Sequence, residues 1–248
     1  FLRHFSHGCK QVFSGDRWAL TGEAGLFPDP FYSPGSDFIG ISNTLICDLI
    51  DKDRKGKSYA AYVDIYQQLY FGFFENTMTL YRGQYPLFGD AQVMPVKVIW
   101  DYTYYWSLLA PLFCGDKLTE IALLGQLRPQ FERGRDLNLA MQWLLRTWGE
   151  RNRAADLPDP ATLDGRLLDQ FNIDWFHEMN RALHDALDNA VFAQRIVDNG
   201  ERMTWLAAET LRHARAAHAD IDDCGLDALL QDATAAHSLS ATWYATAA

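Results

Sequence analysis

The chain of 248 residues predicts a piece of α/β structure followed by a mostly α-helical domain. Three observations carry this. Extended Gln11-Val-Phe13 leads through the turn residues Ser14-Gly-Asp16 into Arg17-Trp-Ala-Leu-Thr21, which has the make-up of a short buried strand. A Gly- and Pro-rich loop, residues 22–35, then opens an apolar helix. Beyond Ser58 apolar residues recur every three or four positions almost to the C-terminus, the period of amphipathic helices.

Each element follows from local chemistry. Ser36 and Asp37 are N-cap candidates for a helix from Phe38 to about Asp51, because their side-chain oxygens can accept from free first-turn N–H groups. The charged run from Asp51 to Lys57 reads as a linker. Tyr59, Tyr62, Val63, Tyr66, Leu69, Tyr70, Phe73 and Phe74 then form one broad apolar face. Gln84-Tyr-Pro86 and Gly89-Asp90 break that helix, and a second begins near Ala91, with apolar positions from Val98 to Leu112. A third covers about Leu118 to Glu150, with Pro129 as a candidate kink. Asp156-Leu-Pro-Asp-Pro160 marks a further linker, and Ala-rich amphipathic helices fill Asp174 to the C-terminus. The chain thus divides into residues 1–57, 58–153 and 154–248. A five-residue strand forms no stable sheet alone, and the chain opens on Phe1 rather than Met, so further strands are expected upstream.

Composition excludes several function classes. The net charge is −10, and residues 154–248 hold sixteen acidic against six basic side chains, an excess that repels nucleic-acid backbones and anionic lipid. Cys9, Cys47, Cys114 and Cys224 form no CxxC pair, so neither a disulfide framework nor a zinc site is indicated, and a reducing cytoplasm is expected. No apolar run reaches eighteen residues, and no signal peptide is visible. Gly-x-Ser-x-Gly and P-loop patterns are absent, which leaves a hydrolase or nucleotide-triphosphate enzyme without support. Aromatic residues make up 14% of the chain, enough for a dense interior or an apolar ligand cavity.

The most specific stretch runs from Trp18 to Phe38. It contains Gly22-Glu23-Ala24-Gly25, then Asp29-Pro30-Phe31-Tyr32-Ser33-Pro34-Gly35 and Ser36-Asp37 at the mouth of a helix. This order resembles the second FAD-binding motif of flavin monooxygenases and flavin-dependent halogenases, where a strand ends in Gly-Asp-Ala and a loop of the type Asp-Pro-x-x-Ser-x-Gly opens a helix. The segments Phe74-Glu-Asn-Thr77, Leu80 to Pro86, Phe88-Gly-Asp90 and Trp100-Asp-Tyr102 are similar to the helical C-terminal region of halogenase-like oxidoreductases. The resemblance implies that residues 1–57 are the C-terminal part of a Rossmann-like, glutathione-reductase-type FAD-binding domain. It implies FAD as cofactor, with Glu23 accepting from the ribityl hydroxyls in a charge-assisted contact. Ala24 and Gly25 would admit the pyrophosphate backbone closely, Asp29 and Pro30 would shape the loop, and Ser33, Pro34, Gly35 and Ser36 would cradle the isoalloxazine. The helix dipole would favour the charge that reduced flavin carries.

The departures from the family pattern narrow the chemistry. Glu23 stands where the family has Asp. In tryptophan halogenases a catalytic glutamate occupies the place of Tyr32, and two backbone N–H groups bind chloride at the places of Pro34 and Gly35; proline has no N–H. Tryptophan-type halogenation is therefore disfavoured, and no residue is assigned as catalytic. The Gly-x-Gly-x-x-Gly turn for the ADP part occurs nowhere, so the N-terminal half of the same protein is an expected partner and this chain supplies half a site. The leading reading is oxygenation of an electron-rich organic substrate through a flavin C4a-hydroperoxide. The substrate could be tethered to a carrier, and a flavin reductase could supply electrons. Alternatives are a non-tryptophan halogenase, or a helical binding or scaffolding domain with a degenerate flavin site.

Other patterns read more plainly. His177-Glu178-Met-Asn-Arg181 lacks the second histidine of a zinc motif and reads as a surface helix. His4, His7 and Cys9 have usable metal spacing but no fourth ligand, so no metal is expected. Arg82, Gln84 and Asp90 are pocket candidates, but an exposed or inter-helix salt bridge is the better reading. Tyr102, Tyr104, Tyr105 and Trp106 suit core packing, or the wall of an apolar cavity.

Overall fold

A computed structural model describes residues 6–155 and 170–236. Among these residues the architecture is all-helical, with no strand. The helices are α1 (Pro34–Arg54), α2 (Ala60–Met78), α3 (Val93–Tyr104), α4 (Ala110–Cys114), α5 (Ile121–Ala154), α6 (Asp174–Arg181), α7 (Asn189–Ala217) and α8 (Leu226–Ala236). A π-helix, Tyr105–Leu109, joins α3 to α4 directly.

The expected α/β remnant of a Rossmann-like domain is overturned. Residues 6–27 make only isolated antiparallel bridges, His7 with Phe27 and Phe13 with Ala19. Trp18, expected inside a buried strand, is 44% exposed. Packing explains the outcome: Val12 and Phe13 are fully buried, and Phe13 meets Tyr70 of α2 edge-on at 5.8 Å. Burying one such side chain contributes about 2 kcal/mol, against about 1 kcal/mol net for a hydrogen bond. A helix face, not a neighbouring strand, holds this segment.

The first two helices form where the periodicity places them. Helix α1 buries Phe38, Ile41, Leu45 and Leu49, and α2 buries Val63, Tyr66 and Tyr70, each set at three- or four-residue spacing. The N-cap expectation is corrected: α1 starts at Pro34 with Ser33 as cap, because Pro at the first helical position lacks only an N–H that would be free anyway. The helix also runs past Asp51 into the expected linker, where Lys52 pairs with Asp48 and Lys55 with Asp51 at the favourable i,i+4 spacing. Helix α5 continues through Pro129 and packs against α3, α7 and α8. No helix of the described residues is long and apolar enough to cross a membrane. His4 and the Asp156–Pro160 linker lie outside the described residues.

Candidate functional site

The loop from Asp29 to Asp37 is where the described structure concentrates backbone strain. Tyr32 and Ser33 are adjacent non-glycine residues with φ of 65° and 56°. Such conformations cost about 1–2 kcal/mol each. Several anchors offset this. The Ser33 N–H donates to the Pro30 carbonyl at 3.0 Å, and Asp29 Oδ1 accepts from the Phe31 N–H and from the Tyr85 hydroxyl at 2.7 Å. That bond to Asp29 pushes the Tyr85 phenol up to about 12. The Tyr81 hydroxyl donates to the Phe31 carbonyl at 2.8 Å, and the Tyr32 hydroxyl donates to Asp101 at 3.1 Å. A hydrogen bond to a charged partner contributes about 1.5–3 kcal/mol, enough to hold one strained residue in place.

Behind the loop lies a cavity of about 140 Å³. Its wall is aromatic: Phe38, Phe73 and Phe131 with Tyr32, Tyr81, Tyr102, Tyr104 and Tyr105. The size and lining suit a small aromatic molecule, since an apolar cavity of about 150 Å³ holds benzene. The π-helix contributes Tyr105, Leu108 and Leu109 to this wall; such turns recur at functional sites. Asp37 of α1 and Asp101 of α3 also reach the cavity, and the Tyr105 hydroxyl pairs with Asp37. Burial raises both the Asp37 carboxyl and the Tyr105 phenol above their ordinary values.

Asp101 belongs to a buried polar chain. Lys97 Nζ donates to Asp101 Oδ2 at 2.7 Å and to Gln142 Oε1 at 2.9 Å, while Gln142 Nε2 donates to Asp101 Oδ1 at 2.8 Å. Gln142 Nε2 also donates to Asn138 Oδ1, which accepts from the Trp100 indole at 2.9 Å, and Asn138 Nδ2 donates to Thr79 Oγ1 at 2.8 Å. Burial raises the Asp101 carboxyl and lowers the Lys97 ammonium; the donors from Lys97, Gln142 and Tyr32 pull Asp101 back towards its charged form. An ion pair this deep costs desolvation, so it is poor evidence for stability and good evidence for a fixed arrangement.

The other side of the loop is an open polar ledge. Gly22, Glu23 and Ala24 form a 3-10 turn that packs on α1, and the Gly22 N–H donates to Ser42 Oγ at 3.1 Å. Gly22 has φ of 50°, and a Cβ there would lie 2.3 Å from Ile39 Cγ1, so this position demands glycine. Glu23, Ala24, Pro30, Ser33 and Ser36 are exposed, whereas Gly22, Gly25 and Pro34 are buried. A Cβ on Gly35 would sit 3.1 Å from Glu23 Oε1, so the carboxylate lies beside the first turn of α1. No side chain caps that turn.

The residues expected to hold a flavin therefore separate by role. Glu23, Ser33, Gly35 and Ser36 come together on the ledge. Asp29 and Pro30 shape the loop, Gly22 and Gly25 support it, and Pro34 and Asp37 face the aromatic cavity instead. Tyr102, Tyr104 and Tyr105 are cavity wall, while Trp106 packs against Phe176 at a tilt of 48°, with ring centroids 4.9 Å apart. Arg82 pairs with Glu75 at the surface, Gln84 donates to the Gln142 carbonyl, and Asp90 caps α3 through Gln92 and Val93. His7 contacts the Glu23 carbonyl and Cys9 the Gln11 carbonyl, and no cluster able to hold a metal occurs among the described residues. Lys97, Asp101, Asn138 and Gln142 are functional candidates that sequence reading missed. Their signal is legible: charged or amide side chains at i,i+4 spacing inside otherwise apolar helix faces.

Over 112 residues the chain is 23% identical to the flavin-dependent halogenase chlA of Dictyostelium discoideum, a match covering 44% of this chain. It spans 19% of that protein's length. No family model matches the chain, and no solved structure matches it.

Proposed function

We propose that the chain forms part of an FAD-dependent oxidoreductase acting on an electron-rich organic molecule held in the aromatic cavity. One arrangement carries this reading: the 29–37 loop has an open polar ledge on one side and an aromatic cavity on the other. The similarity to a flavin-dependent halogenase supports it.

The residues on the ledge fit a flavin. Exposed Glu23 can accept from ribityl hydroxyls, the lack of a side chain at Gly35 lets its carboxylate lie against the helix start, and the uncapped turn of α1 offers N–H groups to an electron-rich ring edge. Helix α1 is 21 residues long, and its dipole favours negative charge at that end. FAD bound there would supply the redox and oxygen chemistry. Phe38, Phe73 and Phe131 would exclude water from the substrate. The ADP part would rest on the N-terminal half of the protein, with a flavin reductase delivering electrons and a carrier able to present the substrate. The four cysteines are free thiols, which fits a cytoplasmic setting.

Halogenation of the tryptophan type is disfavoured, with oxygen transfer the leading reading and a non-tryptophan halogenase the alternative. The Ser33 N–H is spent on Pro30 and Pro34 has none, so the two-amide halide cradle of tryptophan halogenases has only Gly35 left. Protein purified with its upstream sequence should show the absorbance of bound oxidised flavin. A colourless protein that also refuses added FAD would sink the oxidoreductase reading in favour of a helical binding domain. Product analysis with and without bromide then separates oxygenation from halogenation.

A further inference from the structure

The buried polar chain has a direction that cannot be reversed. An indole N–H only donates, so the Asn138 oxygen facing Trp100 must accept and the Asn138 amide nitrogen must donate towards Thr79. Asn138 Oδ1 also takes a hydrogen from Gln142, which fixes the nitrogen end of Gln142 and turns its oxygen to the Lys97 ammonium. The second hydrogen of Gln142 goes to Asp101, as does one from Lys97. Asp101 is thus surrounded by donors and accepts throughout. The hydroxyl hydrogen of Tyr32, 3.1 Å from Asp101 Oδ2, is consequently committed to that carboxylate. What Tyr32 has left for a molecule in the cavity is an oxygen lone pair.

We propose that Tyr32, polarised by Asp101, is the specificity-determining acceptor of the cavity, selecting aromatic molecules that carry a ring-borne O–H or N–H donor. The aromatic wall takes the ring, and the Tyr32 oxygen takes its hydrogen. Adjacent left-handed residues at 32 and 33 agree with this assignment, because the strained backbone places the hydroxyl where the carboxylate can hold it. Asp101 acts through Tyr32 and is a positioning residue. The inference deepens the oxidoreductase reading by naming its substrate class, and it rests on that reading only for what happens to the molecule once bound.

The test needs no flavin. The full chain is titrated with two matched pairs of probes, 4-nitrophenol against 4-nitroanisole and indole against 1-methylindole, each pair differing by one hydrogen-bond donor. The donor of at least one pair should bind about tenfold more tightly than its capped partner, the worth of one hydrogen bond to a held acceptor. Tyr32→Phe should reduce that preference to about twofold or less, with the capped probes binding as before. The double variant K97M/D101L removes both buried charges together and frees the Tyr32 hydrogen. It should also erase the preference while keeping the capped probes bound, whereas a merely structural change would weaken both members of a pair. Equal affinity within both pairs in the unaltered chain, binding of neither, or a preference that survives in Y32F overturns the proposal. Should the double variant not fold, Y32F alone decides. A protein that keeps the preference yet refuses added FAD would sink the flavin reading and leave this one standing.

Discussion

The two sides of the 29–37 loop are built by opposite means. On the cavity side the polar groups are buried and committed: Asp101 accepts from Lys97, Gln142 and Tyr32, and Asp37 pairs with Tyr105. On the ledge side Glu23, Ser33 and Ser36 stand in solvent at a helix end that no side chain caps. The difference teaches that the polar groups lining the cavity are preorganised within this chain, at a cost in desolvation. The ledge presents charge and free backbone donors, which cost the fold little.

The comparison can be broken most severely at Asp101. Asp101→Ala leaves the Lys97 ammonium buried without its partner and should destabilise the fold by about 3–5 kcal/mol in urea unfolding. The K97M/D101L double variant should recover part of that loss, since apolar side chains of similar volume replace a buried pair at little cost while Gln142 loses two of its partners. Full destabilisation in the double variant would mean that the pair holds the fold rather than the cavity. Gly22→Ala strikes the support of the ledge instead. The left-handed φ and the approach to Ile39 set a cost of about 1–3 kcal/mol, measurable as a lowered midpoint with unchanged slope.

Tyr85→Phe removes a partly exposed latch on Asp29 and should cost about 0.5–1 kcal/mol. Its sign with pH is fixed. The folded-state Tyr85 pKa is raised from 10.0 to about 12, so the latch contributes fully below pH 10 and is lost as pH rises through 12. Alkaline melts of Y85F should lack that component. Glu23→Gln is the mildest change for the fold, within about 0.5 kcal/mol. It should nonetheless lower FAD retention in spectroscopic titrations, and unaltered retention would remove Glu23 from the ribityl site.

Sequence reading went furthest where one residue type has one physical use. The Asp29–Gly35 run identified a turn opening a helix, because Pro and Gly restrict what the backbone can do. The apolar faces of α1 and α2 were legible because burial at three- and four-residue spacing leaves few alternatives. The strand at Arg17–Thr21 failed because five alternating residues pair only when a second strand is present, and α2 offered Val12 and Phe13 a face instead. The polar chain was missed for a different reason. Lys97 and Asp101 lie on α3, and Asn138 and Gln142 on α5, about forty residues away, so their union depends on two helices packing together. Tyr32 was read only as a residue lacking a carboxylate, whereas its hydroxyl is directed by one donated from another helix.

The π-helix at Tyr105–Leu109 carries a consequence for how this cavity could be altered. A π turn accommodates one residue more than an α turn, so the segment behaves as an insertion absorbed without a loop. Removing a single residue there would restore a regular α turn and leave the helix on either side close to its present phase. Tyr102 and Leu112 would keep their shared wall, while one side chain between them would be withdrawn from it. The π turn is thus a place where the lining can lose a residue by deletion with the rest of the helix left in frame.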